Sequence, residues 1–178
     1  WGNEVLTMPL QVGIGPFSVR PGIDAWDGYP VERRDLMEFL EREGPTNFVT
    51  LTGDMHTYLA GFQTAPSGRR VGVEFMTPAV TSVNMAEGVG IGDGLVGRVT
   101  GRLLPALARA MNPHYRFFDS HHWGYSTVEF TPEQCTYRAY SVDKTVNSTA
   151  AEQRLLKALA VPDGRVDIRE VQEDRQPD

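Results

Sequence analysis

The tightest constraint on the fold lies between Pro30 and Thr52. "PVERRDLMEFLERE" puts proline at the first helical position and gathers Leu36, Met37, Phe39 and Leu40 on one side, with arginines and glutamates opposite. Gly44 and Pro45 stop this helix. An apolar, strand-forming run at 47–52, "NFVTLT", follows at once and breaks on Gly53. A helix and a buried strand this close in sequence point to an α/β or α+β chain. The strand also ends oddly: beyond Gly53 come Asp54 and His56, two positions apart.

The rest of the chain supports a mixed class. Residues 4–14 read as an extended segment interrupted by Pro9, and 15–29 as a long loop rich in Gly, Pro and Asp. "RVGVEFM" alternates Val71, Val73 and Phe75 against Gly72 and Glu74, the pattern of a half-buried strand. A glycine-rich loop at 86–94 leads into a helical period with Leu95, Val99, Leu103 and Leu107 on one face, which Pro105 is expected to kink or divide. Strands are expected near 115–119, 125–131 and 136–142, with Pro132 and Glu133 turning between the last two. Thr149 and Glu152 form a capping box for a helix through Ala160. This gives one domain over 1–161 and a loosely held, charged tail over 162–178, disordered near "EDRQPD".

Composition narrows the function. With 178 residues, 40% hydrophobic and 22% charged, the chain is long enough for a real core. A formal net charge of −6 argues against non-specific binding to nucleic acid or to an anionic membrane surface. No apolar run approaches the ~18 residues of a membrane span, and the first residues carry no signal-like stretch. Cys135 is the only cysteine, so neither an internal disulfide nor a cysteine-based zinc site is available. The abrupt start on Trp1 reads like the interior of a longer protein.

Four groups of residues could carry chemistry. In an extended backbone Asp54 and His56 would project to the same side of the strand end, and carboxylate with imidazole suits iron, zinc or manganese. The alternative is a plain Gly-Asp turn with an incidental histidine. "DAWDGYP" offers Asp24, Asp27 and Tyr29 to a metal centre or its substrate side, or equally a turn with acidic residues leading into the helix. "GDGLVG" at 92–97 matches a nucleotide-binding pattern, so a nucleotide-binding module using loop 88–97 is a rival of another class; however, no strand precedes it directly. His114, His121 and His122 are the remaining histidines; adjacent histidines on a strand face opposite sides, so at most one of the last two could join His56.

"DAWDGYPVERRDLMEFL", "NFVTLTGDMHTYLAG", "VGVEFMTPAVTS" and "NPHYRFFDSHHWGY" occur in this order, and together they resemble the C-terminal part of the PhoD-like alkaline phosphatases, a branch of the metallophosphoesterases. The likeness runs from Trp1 to about residue 143. It implies part of a four-layer α-β-β-α sandwich with mixed sheets and flanking helices. It implies metal-dependent hydrolysis of phosphate mono- or diesters, or a phospholipase D reaction on lipid headgroups at the same site. Asp54 and His56 match the family's Gly-Asp-x-His, which contributes to the metal centre. Iron and calcium are the expected metals, with zinc and manganese as substitutes. No side-chain nucleophile is expected, a hydroxide on the metals serving instead. The family's other ligands would lie upstream of Trp1, so the resemblance implies an upstream polypeptide of the same protein as partner, and a secreted enzyme. Cys135 does not match the family's iron-binding cysteine.

Overall fold

The computed structural model describes residues 1–172 except 14, 21 and 89–94, with residues 95–102 described by backbone alone. The loop carrying most of "GVGIGDG", and the "EDRQPD" end, lie outside the described residues.

The helix expected from Pro30 is α1, Pro30–Glu43, and it buries Met37 and Leu40 against Ala65 and Val71. Phe39, expected on the buried side, is instead half exposed. β1 (Val49–Thr52) follows, then β2 (Tyr58–Thr64), β3 (Arg70–Met76), a short α2 (Met85–Gly88), α3 (Leu95–Met111) and β4 (Tyr115–Asp119). The first sheet has the order β1-β3-β2-β4, with β1 parallel to β3 and β2 antiparallel to both of its neighbours. β5 (Gly124–Phe130), β6 (Gln134–Val142), β7 (Gln153–Pro162) and β8 (Arg169–Glu170) form a second, antiparallel sheet in chain order.

The two sheets pack face to face. Tyr58, Ala60, Phe62, Val73 and Phe75 from the first meet Cys135, Tyr137, Ala139, Leu159 and Val161 from the second. Phe75 and Tyr137 stack with ring centroids 4.6 Å apart, and the Tyr137 hydroxyl donates to the Met76 carbonyl at 2.9 Å. The other face of the first sheet is covered by Leu6, Met8 and Leu10 and by Ala108 of α3. The molecule is thus a mixed α/β sandwich with helices flanking the first sheet.

Three expectations need correction. Residues 153–162 form a strand, not a helix. Their Ala, Leu and Lys favour a helix intrinsically, but pairing along the whole length of β6 and burial of Ala158, Leu159, Ala160 and Val161 override that preference. The segment beyond Pro162 is tied down too: β8 pairs with β7, and Val166 and Ile168 pack on the core. α3 runs through Pro105 undivided, and among its described side chains Leu104, Pro105 and Ala108 face inward while Leu103 and Leu107 are exposed. The small Ala108 lets the helix lie close on Tyr115 and Phe118.

Residues 4–12 are extended without being a strand, because side chains satisfy their backbone. The buried Glu74 carboxylate accepts from Thr7 N at 3.0 Å and Met8 N at 2.9 Å, and from the hydroxyls of Thr7 and Thr52. Asp27 accepts from Leu10 N, and Asn112 from Gln11 N, both at 2.8 Å. Burial pushes the Glu74 carboxyl upward, against these hydrogen bonds.

Candidate functional site

One edge of the first sheet gathers the ends of all four of its strands. β1, β3 and β4 finish there at Thr52, Met76 and Asp119, and β2 begins there at Tyr58. The pairs Leu59↔Met76 and Tyr58↔Asp119 set these ends level. Strand ends of this kind suit chemistry because the sheet holds the emerging side chains rigidly.

At this edge Asp54 and His56 do not sit on extended backbone as the sequence suggested. Both are left-handed, with φ of 67° and 52°. For residues other than glycine each such position costs on the order of 1 kcal/mol or more. Local packing holds the turn: Met55 N donates to Gly53 O at 2.8 Å, and the Met55 side chain packs against the cluster of Leu6, Leu59 and Met76. The two residues thus emerge from a tight reversal rather than from strand alternation.

His56 Nδ1 lies 2.5 Å from the carbonyl oxygen of Val83. A carbonyl can only accept, so Nδ1 carries the hydrogen, which leaves Nε2 as the nitrogen available to a metal. Metal-binding histidines are commonly oriented in this way. The Asp54 carboxylate is exposed and, among the described residues, takes no hydrogen bond or ion pair. One carboxylate oxygen donor and one imidazole nitrogen donor, two residues apart in the turn, are therefore left uncommitted.

The segment after β3 closes the second side of the edge. Asn84 Nδ2 donates to His121 O at 2.8 Å, Trp123 Nε1 to Ser82 O at 3.0 Å, and Gly124 N to Ala79 O at 3.1 Å. So residues 79–84 hold His56 on one side and the 121–124 turn on the other. In that turn Asp119 accepts from His121 N at 2.9 Å, from His122 N at 3.1 Å, and from His122 Nδ1 at 2.7 Å. Burial alone would raise the Asp119 carboxyl, but the His122 contact and the backbone donors hold it below its ordinary value. The hydrogen bond to Asp119 lifts the His122 imidazole above its ordinary value, against burial and the nearby Arg154.

The other sequence candidates are placed elsewhere or otherwise occupied. Asp27 is almost fully buried as a side chain, bound to Leu10 N and to Arg33 at 2.7 Å, and so organises the loop before α1. Asp24 and Tyr29 are exposed on that loop, and among the described residues neither shares a hydrogen bond with Asp54 or His56. His114 bonds Pro9 O through Nε2 at 2.9 Å and braces the N-terminal segment. Cys135 is the second residue of β6, whose other end reaches the edge, which puts the thiol ~20 Å along the strand. The nucleotide pattern at 92–97 falls mainly outside the described residues. Among those described, no three His, Cys, Asp or Glu side chains converge as a metal-holding group. The Asp119–His122 pair escaped sequence reasoning; an aspartate at a strand end with backbone donors two and three residues on was the available signal.

A solved structure entitled "Structure of PhoD" matches 98% of this chain with a TM-score of 0.74 at 21% identity, so the fold is that of part of a PhoD molecule. The chain is also 32% identical over 118 residues to alkaline phosphatase D of Bacillus subtilis (strain 168), 63% of its own length. The family model of PhoD-like phosphatases matches residues 1–139, and the chain belongs to that family. It spans 18% of the curated relative and 31% of the solved chain.

Proposed function

We propose that this chain supplies part of a metal centre that hydrolyses phosphate mono- or diesters, with Asp54 and His56 as its ligands. The carrying observation is the strained turn that leaves the Asp54 carboxylate and His56 Nε2 uncommitted at the strand-end edge. Strain of this kind persists where it is offset by packing and serves a site. The donor set fits: the imidazole suits iron, zinc or manganese, and the carboxylate also suits calcium. When bound, the metals would polarise the phosphoryl group and activate water. The chain's own part is to orient the ligands. Val83 O fixes the His56 tautomer, and the sheet fixes the turn.

Two ligands do not complete such a centre, since a calcium ion alone takes ~6–8 oxygens. We place the remaining ligands in polypeptide preceding Trp1, packed on this chain across an apolar interface, and we read the enzyme as exported, as the family resemblance implies. A phospholipase D activity at the same site is the second reading. The hairpin bridged at Val12 and Val19 favours it, because Phe17 and Val19 stand exposed where a lipid could meet them.

The test is Asp54→Ala and His56→Ala in the complete enzyme, followed by elemental analysis and hydrolysis of a chromogenic phosphodiester. Both variants should lose metal and activity by more than the ~100-fold typical of supporting groups. Wild-type metal content with full activity in both would refute the assignment.

A further inference from the structure

We propose that His122, held by Asp119, is the proton donor to the leaving alcohol in this hydrolysis. The inference rests on the reaction proposed above, but on different residues. Asp119 is the last residue of β4 and pairs with Tyr58, the first of β2, so its turn and the Asp54–His56 turn occupy neighbouring positions on one edge. The 79–84 segment bonds to both turns, through Val83 to His56 and through Asn84 to His121. Asp119 commits every donor on its side: two backbone N–H groups and His122 Nδ1. The imidazole is therefore fixed with Nε2 free of any protein partner among the described residues, on a ring whose side chain is 49% exposed. A carboxylate that fixes one ring nitrogen and leaves the other open is the arrangement a general acid needs. The charged groups acting on this ring are Asp119 from β4 and Arg154 from β7.

The step balances simply. Water oxygen forms the new bond to phosphorus and gives up one proton to solvent. The bond from phosphorus to the alcohol oxygen breaks, and its electron pair stays on that oxygen. Nε2–H gives its proton to the same oxygen, releasing the neutral alcohol, and the imidazole takes a proton back from solvent. A bland alternative exists, in which Asp119 and His122 are only an ion pair stiffening the turn. The two roles differ in one respect: a proton donor matters when the leaving group is a poor one, whereas a structural pair matters equally for all substrates.

The experiment compares the complete metal-loaded wild type with His122→Gln and Asp119→Asn on an alkyl phosphodiester and on a p-nitrophenyl phosphodiester, across pH. General acid–base catalysis contributes ~10²–10⁴-fold. His122→Gln should therefore lose about 100-fold or more in kcat on the alkyl ester and within about threefold on the p-nitrophenyl ester. The alkaline limb of the alkyl-ester kcat profile should vanish with it. Asp119→Asn should fall between, keeping that limb but moving it to lower pH. Equal losses on both esters, or an unchanged pH limb in His122→Gln, would overturn the assignment and leave a structural pair. Wild-type failure to hydrolyse either ester would instead bring down the reaction itself, and this inference with it.

Discussion

The two ends of the sandwich handle the same backbone problem differently. At the end where β2 turns into β3 and β7 runs out, left-handed positions fall to glycine: Gly68 at φ 89° and Gly164 at φ 65°. Polar groups there are also paired. Asn47 Nδ2 donates to Asp163 at 2.7 Å, Asp163 N donates to Glu133 O at 2.8 Å, and Thr131 closes the β5–β6 turn. The Cys135 thiol nearby is buried and pushed up to about 11, which leaves it unreactive. At the opposite end Gly124 also takes a positive φ, 153°, but Asp54 and His56 take left-handed positions without being glycine, and their side chains carry uncommitted donors. Glycine would serve the turn at lower cost. Aspartate and histidine in its place imply that the side chains, not the backbone, are needed there.

That contrast can be broken most decisively by putting glycine at Asp54 or His56. Asp54→Gly or His56→Gly should cut hydrolysis by more than about 100-fold. The same variants should melt no lower than wild type, with a gain of up to about 1 kcal/mol from relieved strain. Loss of activity together with loss of stability would mean that the side chains are there for folding.

Glu74 lies beneath that end and binds Thr52, two residues before Asp54. Glu74→Ala strands the Thr7 and Met8 amides in the core, and about 3 kcal/mol should be lost in urea unfolding. Glu74→Gln, which keeps part of the network, should lose less. At the far end, Gly68→Ala meets no neighbouring atom within 4 Å and should cost only the strain of φ 89°, about 1 kcal/mol, with hydrolysis unchanged. A matching fall in activity would erase the distinction between the ends.

The smallest effect concerns pH. Asp119 is depressed in the fold, so its contribution is present above the ordinary carboxylate value near ~4 and is lost as pH falls through the depressed one. His122 is raised, so its contribution is present below the ordinary imidazole value near ~6.5 and is lost as pH climbs through the raised one. The pair therefore stabilises most between about pH 4 and 6.5. Because the ring is half solvated, the gain is under ~1 kcal/mol. Melting curves of wild type and His122→Gln should differ at pH 5.5 and converge by pH 9.

Much of the fold around the Asp54–His56 turn was legible in the sequence, and for physical reasons. Helix α1 carries its stop signal in Gly44 and Pro45, β1 and β3 carry their burial in Val and Phe, and Gly53 announces the turn. The family resemblance then singled out Asp54 and His56. What was hidden depended on partners distant in sequence. β2, "YLAGFQT", has no clear alternation because both of its faces are buried. β7 became a strand only because β6 lies beside it. The left-handed turn depends on Met55 finding the Leu6 and Leu59 cluster. The Asp119–His122 pair depends on β4 ending opposite the start of β2.

The central claim is that the Asp54–His56 turn holds a metal, and anomalous diffraction from crystals of the metal-loaded complete enzyme tests it directly. The expected result is an anomalous peak about 2.0–2.5 Å from both His56 Nε2 and an Asp54 carboxylate oxygen. His56 Nδ1 should still be bonded to Val83 O, as it is here. A metal bound elsewhere, with Asp54 and His56 facing solvent, would contradict the account.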